Sequence, residues 1–132
     1  MVYTATFTES LNSYTVTWKN DDGTVTFDQK AMDAYVKEMK KWNVENRDEI
    51  VLLSDIHVAE ATKNWREYAK LCSKYIKKFG ENDMTIYNWV LRIQKNTEDP
   101  KVRKTAIKWM ENRIKTYEKE EAKLPPLKEG EV

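Results

Sequence analysis

The chain is poor in the residues that most often announce chemistry. A single cysteine, Cys72, cannot form an internal disulfide, and there is no CxxC. Cysteine usage therefore neither staples the fold nor reports a redox compartment. His57 is the only histidine, and no cysteine stands three or four residues from it, which leaves no zinc-ligand spacing. Three scattered glycines cannot build a phosphate-cradling loop. Together with only three prolines they leave little room for long loops, which favours helices. Charge of one sign is missing too: 23 basic and 22 acidic residues give a net +1. That excludes the concentrated basic surface of a dedicated nucleic-acid binder and gives an anionic membrane nothing to attract. No apolar run approaches the roughly 18 residues of a membrane span, so no membrane insertion is expected. The opening MVYTATFTES has neither the basic nor the apolar region of a signal peptide. Two settings follow: a cytoplasmic protein, or a piece of a longer exported chain.

What is present is aromatic and helical. The 132 residues have the length of one domain and suffice for a core without a disulfide or metal staple. Five Trp and seven Tyr offset a modest apolar content of 40%, because each ring buries a large area. Residues 3 to 27 alternate apolar residues with threonine: Tyr3, Ala5 and Phe7, then Tyr14, Val16 and Trp18, then Val25 and Phe27. Period-two alternation predicts two or three half-buried antiparallel strands. Leu11-Asn12-Ser13 is the expected first turn, and Lys19 to Gly23 the second, with Gly23 free to take a positive φ.

Five helices are expected next. The first runs from Asp28, as N-cap, to Trp42, with Met32, Tyr35, Val36, Met39 and Trp42 as its stripe. Trp18 and Trp42 are expected between sheet and helix. The second starts near Asn46, where Asn46 and Glu49 match a capping box. Its dense run Ile50 to Leu53 predicts deep burial. The third spans Trp65 to Phe79, capped by Asn64 and ended by Gly80. The fourth follows Asn82-Asp83 and carries Ile86, Trp89, Val90 and Ile93. The fifth runs from Pro100 to about Lys119, with Val102, Ala106, Ile107, Met110, Ile114 and Tyr117 assigned to one buried face and Trp109 beside it, partly exposed. Residues 120–132 read as a solvated tail or linker, leaving a single domain over 1–120. The fold class is thus mainly α (α+β): an N-terminal antiparallel β-hairpin or meander followed by about five helices packed as antiparallel helical hairpins.

An offset of 38 residues lays the second pair of helices on the first: Val51 on Trp89, Ala69 on Ile107, Cys72 on Met110 and Ile76 on Ile114. Apolar meets apolar, as in stacked helical hairpins. Trp65, Tyr68, Tyr75, Phe79, Gly80, Trp89, Asp99, Ala106 and Trp109 carry a W-x-x-Y helix, a Gly-ended turn, a short Trp helix and a D-P turn into an A-x-x-W helix. This pattern resembles the tetratricopeptide-like helical region that follows a thioredoxin domain in some Bacteroidota envelope proteins. It covers about two fifths of the chain and consists of helix-packing motifs. The resemblance implies tetratricopeptide-like packing in the C-terminal part, a cell-envelope or periplasmic setting, and a role as an accessory domain of a thioredoxin-family protein. The thioredoxin CxxC itself is absent here, and the strand-rich first 27 residues have no counterpart in the pattern.

No catalytic constellation stands out, and no cofactor is expected. Cys72, His57 and Asp55 are the only residue types for a thiol triad, but Cys72 lies on an apolar stripe, where a thiol is usually core filler. The carboxylates read as solvated helix faces and caps. Trp65, Trp89 and Trp109 at helical spacing read as core rather than as stacking platforms. If the hairpins stack, the first helix of each pair lines a concave surface, which places Ser54 and His57 beside Tyr87, Asn88 and Arg92 as partner-binding candidates. Such a surface, with Arg, Asn and Tyr, suits an extended peptide or an acidic tail. The expected function is a non-catalytic protein-interaction or scaffolding module with a protein or peptide partner. The alternative is a structural or assembly subunit, of a virion or envelope, that oligomerises through its N-terminal strands.

Overall fold

The computed structural model describes residues 2–9 and 11–123. Three strands, β1 (Val2–Glu9), β2 (Asn12–Lys19) and β3 (Val25–Phe27), precede five helices. These are α1 (Gln29–Lys41), α2 (Arg47–Ala61), α3 (Trp65–Phe79), α4 (Asp83–Asn96) and α5 (Pro100–Lys123). The chain divides into two compact units, Met1–Gly80 and Glu81–Val132.

In the first unit the strands form an antiparallel sheet in the order β1-β2-β3. Alternation sets its two faces. Ala5, Phe7, Tyr14 and Val16 turn toward the helices, while the threonines pair by hydroxyl across strands on the other face. Thr4 bonds Thr17, Thr6 lies 3.3 Å from Thr15, and Thr8 lies 3.1 Å from Ser13. Tyr3 stands opposite Trp18 and Thr6 opposite Thr15, with a local irregularity at Ala5 between them. Glu9 stands opposite Asn12, so Asn12 and Ser13 already belong to β2 and the first turn comes earlier than expected. Gly23 takes φ 88° in the β2–β3 turn, where an L side chain would be strained. The turn is fixed by the Asn20 amide donating to Thr24 and Thr26, and by Asp22 accepting from the Thr24 N–H.

Helix α1 begins where Asp28 accepts from the Ala31 N–H at 3.1 Å. The Asp28 N–H in turn donates to the Val16 carbonyl at 2.8 Å, which ties the helix start to the sheet. Met32, Tyr35 and Met39 recur at helical spacing and bury against Val16, with Phe7, Tyr14 and Phe27 around them. Each such side chain stabilises the fold by roughly 1.5–3 kcal/mol relative to exposure. Trp42 does not join them. It is 55% exposed, with its indole N–H donating to Glu38 at 2.7 Å, because it falls at the helix C-cap, past the end of the sheet-facing stripe. Helix α2 starts without the expected capping box: Asn46 is left-handed (φ 60°) and makes no side-chain cap bond. Glu49 instead accepts the Tyr75 hydroxyl at 2.6 Å. The deep burial expected over Ile50 to Leu53 holds for Leu52 alone, with Ile50 and Val51 half-buried, because the contacts of α2 are spread over α3, β1, α1 and β2 around its circumference. Leu52, Ile56 and Ala59 are buried, while Leu53 is exposed. Helix α3 packs beside α2 through Tyr68, Ala69 and Cys72, capped by Asn64 accepting from the Glu67 N–H and ended at Gly80 (φ 98°).

The second unit is a helical hairpin. Asn82 caps α4 by accepting from the Thr85 N–H at 3.1 Å. Asp99 caps α5 by accepting from the Lys101 N–H, with Pro100 in the first helical position. The buried residues are Ile86, Trp89 and Ile93 of α4 and Val102, Ala106 and Trp109 of α5. The Trp89 and Trp109 rings meet edge to face at 6.2 Å. This corrects the expected face of α5: Trp109 is core, and Ile107, Met110, Ile114 and Tyr117 are exposed. Arg113 holds the ends together, donating to Glu81 and to Asp83, which also accepts the Tyr117 hydroxyl. Helix α5 continues to Lys123, so residues 120–123 are helix rather than tail, and the rest of the expected tail, 124–132, lies outside the described residues. The 38-residue correspondence does not extend to burial: Ala69 and Cys72 are buried, but Ile107 and Met110 are not.

Candidate functional site

A groove of about 450 Å³ lies between β1 and α2. Thr4, Ala5, Thr6 and Phe7 line it on one side, and Ile50, Leu53, Ser54 and His57 on the other, with Tyr35 between. Successive strand residues point to opposite faces. All four line the groove, so it runs along β1 itself, across the irregularity at Ala5. The outer edge of β1 is open: β2 is the only strand beside β1 among the described residues. On the α2 side, positions 50, 53, 54 and 57 are one face of a helix, spaced by three and four.

The floor is aromatic. Phe7 stacks tilted on Tyr35 at 5.2 Å, and Tyr14 meets Tyr35 at 6.0 Å. His57, exposed at the rim, meets Phe7 edge-on at 6.5 Å. Ser54 is buried beneath this wall, and its hydroxyl donates to the Ile50 carbonyl at 2.9 Å. Burial pushes the Tyr35 phenol above its ordinary pKa, against a smaller lowering by Ser54.

The candidate residues thus separate. Ser54 and His57 belong to this groove, Ser54 as support and His57 as contact surface. Tyr87, Asn88 and Arg92 belong to α4 in the second unit. There Tyr87 is 53% exposed and lines a cleft with Met84, Met110 and Tyr117, while Asn88 and Arg92 are exposed outside that cleft. What the sequence did not reveal is the contribution of β1: alternation marks a strand but does not say that its edge is left open beside a helix.

The thiol triad does not assemble. Asp55 and His57, two residues apart, project about 200° apart around α2. Asp55 lies in clefts with Lys74 and Glu67, and His57 faces β1. Burial raises the Asp55 carboxyl, opposed in part by the Lys74 charge and reinforced by Glu67. Cys72 is buried. Among the described residues no three His, Cys, Asp or Glu side chains group to hold a metal ion, and no helix is long and apolar enough to cross a membrane. The chain matches no family model, and the searches of curated proteins and of solved structures return no match.

Proposed function

We propose that this chain is a non-catalytic interaction module that captures an extended segment of a partner protein as a fourth strand on β1. The observation that carries this reading is the groove along the edge of β1, walled by one face of α2. An edge strand offers a row of backbone donors and acceptors to an incoming strand. The helix beside it supplies side-chain selectivity.

The side chains around the edge specify the ligand. An added strand continues both faces of the sheet. One set of its side chains falls in line with Phe7, against Ile50, Leu53 and His57, and is best apolar or aromatic. The other set falls in line with Thr4 and Thr6 and is best small and polar. The preferred segment therefore alternates apolar and polar residues over about four positions, the length of strand that the groove covers.

The test is a phage-displayed random peptide selection against the full chain, followed by an amide-resolved NMR titration with a selected peptide. Shifts concentrated at Thr4–Phe7 and Ile50–His57, with affinity lost in Leu53→Arg, are the expected result. Shifts confined to α4 and α5 refute the groove. A second copy of β1 on the same edge is the assembly alternative. It shows as concentration-dependent broadening of the Thr4–Phe7 amides without peptide, and it replaces the peptide reading.

A further inference from the structure

Helix α5 carries two apolar stripes, and only one is used within its own unit. Val102, Ala106 and Trp109 bury against α4. Turned about 90° around the helix lie Ile107, Met110, Ile114 and Tyr117, all exposed. Their spacing of three, four and three residues is that of the a and d positions of a coiled-coil seam. It differs from the broad stripe of a helix that simply faces a core. The seam runs between two clefts that share Met110. One, of about 400 Å³, lies by Ile107 and Ile114; the other, of about 330 Å³, lies by Tyr87 and Tyr117.

The charges flanking the seam are sorted along the helix. Residues 101–110 hold Lys101, Arg103, Lys104 and Lys108 and no acid. Residues 111–123 hold Glu111, Glu118, Glu120 and Glu121 among mixed charges. Continuing the seam one step outward at each end reaches Arg103 and Glu121. Reversing one copy brings the basic first half of the helix beside Glu118, Glu120 and Glu121 of the other. Antiparallel pairing of two such helices sets Ile107 opposite Tyr117 and Met110 opposite Ile114. The same register sets Arg103 opposite Glu121 and Lys104 opposite Glu120. A parallel pairing would instead set Arg103 against Arg103 and Glu121 against Glu121.

We infer that the α5 seam is the interface of a two-fold antiparallel homodimer, in which α5 of a second copy lies in the α4–α5 clefts and completes a four-helix arrangement. Two-fold symmetry makes the surface self-complementary, each residue being met by its counterpart in the reversed register. The buried set then includes Met84 and Tyr87 of α4 together with the four seam residues. This surface is separate from the β1–α2 groove, and either can hold without the other.

Sedimentation equilibrium of the full chain tests the inference directly, with a concentration-dependent dimer as the expected result. Ile114→Glu raises the dissociation constant by at least about 100-fold, because symmetry places two unpaired carboxylates in the seam. Helix content by circular dichroism stays unchanged, since Ile114 is exposed in the single chain. Orientation is read by disulfide trapping in a Cys72→Ala background. Mixing Arg103→Cys chains with Glu121→Cys chains gives a cross-linked heterodimer, whereas each chain alone gives little. Cross-linking of each variant with itself and not with the other overturns the antiparallel arrangement. A strict monomer across the concentration range overturns the interface altogether.

Discussion

Trp109 and Met110 are neighbours in sequence with opposite fates, and truncating each in turn tests the packing of the second unit. Trp109 is 6% exposed and packs on Trp89, whereas Met110 is 40% exposed and faces the clefts. An aromatic side chain of this kind buries roughly 200 Å², worth about 5 kcal/mol at about 25 cal/mol per Å². Measured truncations of large aromatics fall at about 3–5 kcal/mol. A compact unit of about 40 residues is held by only about 2–6 kcal/mol. Trp109→Ala should therefore melt α4 and α5 while leaving the first unit folded. Met110→Ala should cost under about 1 kcal/mol when measured below the dimerisation range. Hydrogen exchange followed by mass spectrometry separates the two, because peptides from α4–α5 and from β1–α3 report independently. Loss of protection over 83–123 is expected for Trp109→Ala only. If Met110→Ala is the more destabilising substitution, α5 is turned the other way and the exposed seam does not exist.

Other substitutions probe the first unit and the charged clasp of the second. Asp55→Asn should stabilise the first unit near neutral pH. The raised carboxyl binds its proton more tightly when folded, so its contribution is favourable at acid pH and is lost as the pH rises through the folded pKa. The gain from Asn should accordingly disappear in thermal melts run at acid pH. Asp83 has the opposite sign. The Tyr117 hydroxyl and the Arg113 guanidinium hold its carboxyl below the ordinary value, so the clasp is intact above the usual carboxylate range and is lost as the pH falls beneath it. Protection factors at the start of α4, corrected for the intrinsic slowing of exchange in acid, should fall at acid pH in the wild type and be lowered at all pH values in Arg113→Ala. Asp28→Ala removes the α1 cap and should cost about 1 kcal/mol in denaturant unfolding; a cost indistinguishable from zero contradicts the capping bond.

The sheet, the helices and most of their ends were legible because local chemistry sets them. Asp28, Asn64, Asn82 and Asp99 cap helices with short side chains that reach the backbone of the next turn, and that needs no tertiary knowledge. Asn46 shows the limit of such reading. The box pattern is present, but a left-handed backbone there aims the side chain away from the helix start, and Glu49 is drawn off to Tyr75. The α5 face was misread for a different reason. A helix with apolar residues over much of its circumference has two stripes that satisfy the same period, and periodicity does not say which one meets α4. The large Trp109 ring won that place over the slimmer Ile107 and Met110. The candidate site was half legible: the α2 positions 54 and 57 fall in the groove, but the opposing wall is a strand edge, and edges are a property of topology rather than of residue type.

Strand addition on β1 makes one claim that side-chain substitution alone does not reach, namely that the partner bonds to the backbone of the edge. Amide hydrogen exchange of β1, resolved by residue with and without a selected peptide, addresses it most directly. Alternate amides between Thr4 and Phe7, those pointing away from β2, should become protected in the bound state while the inward-bonded amides change little. Binding that leaves every outward β1 amide exchanging as fast as before would contradict it.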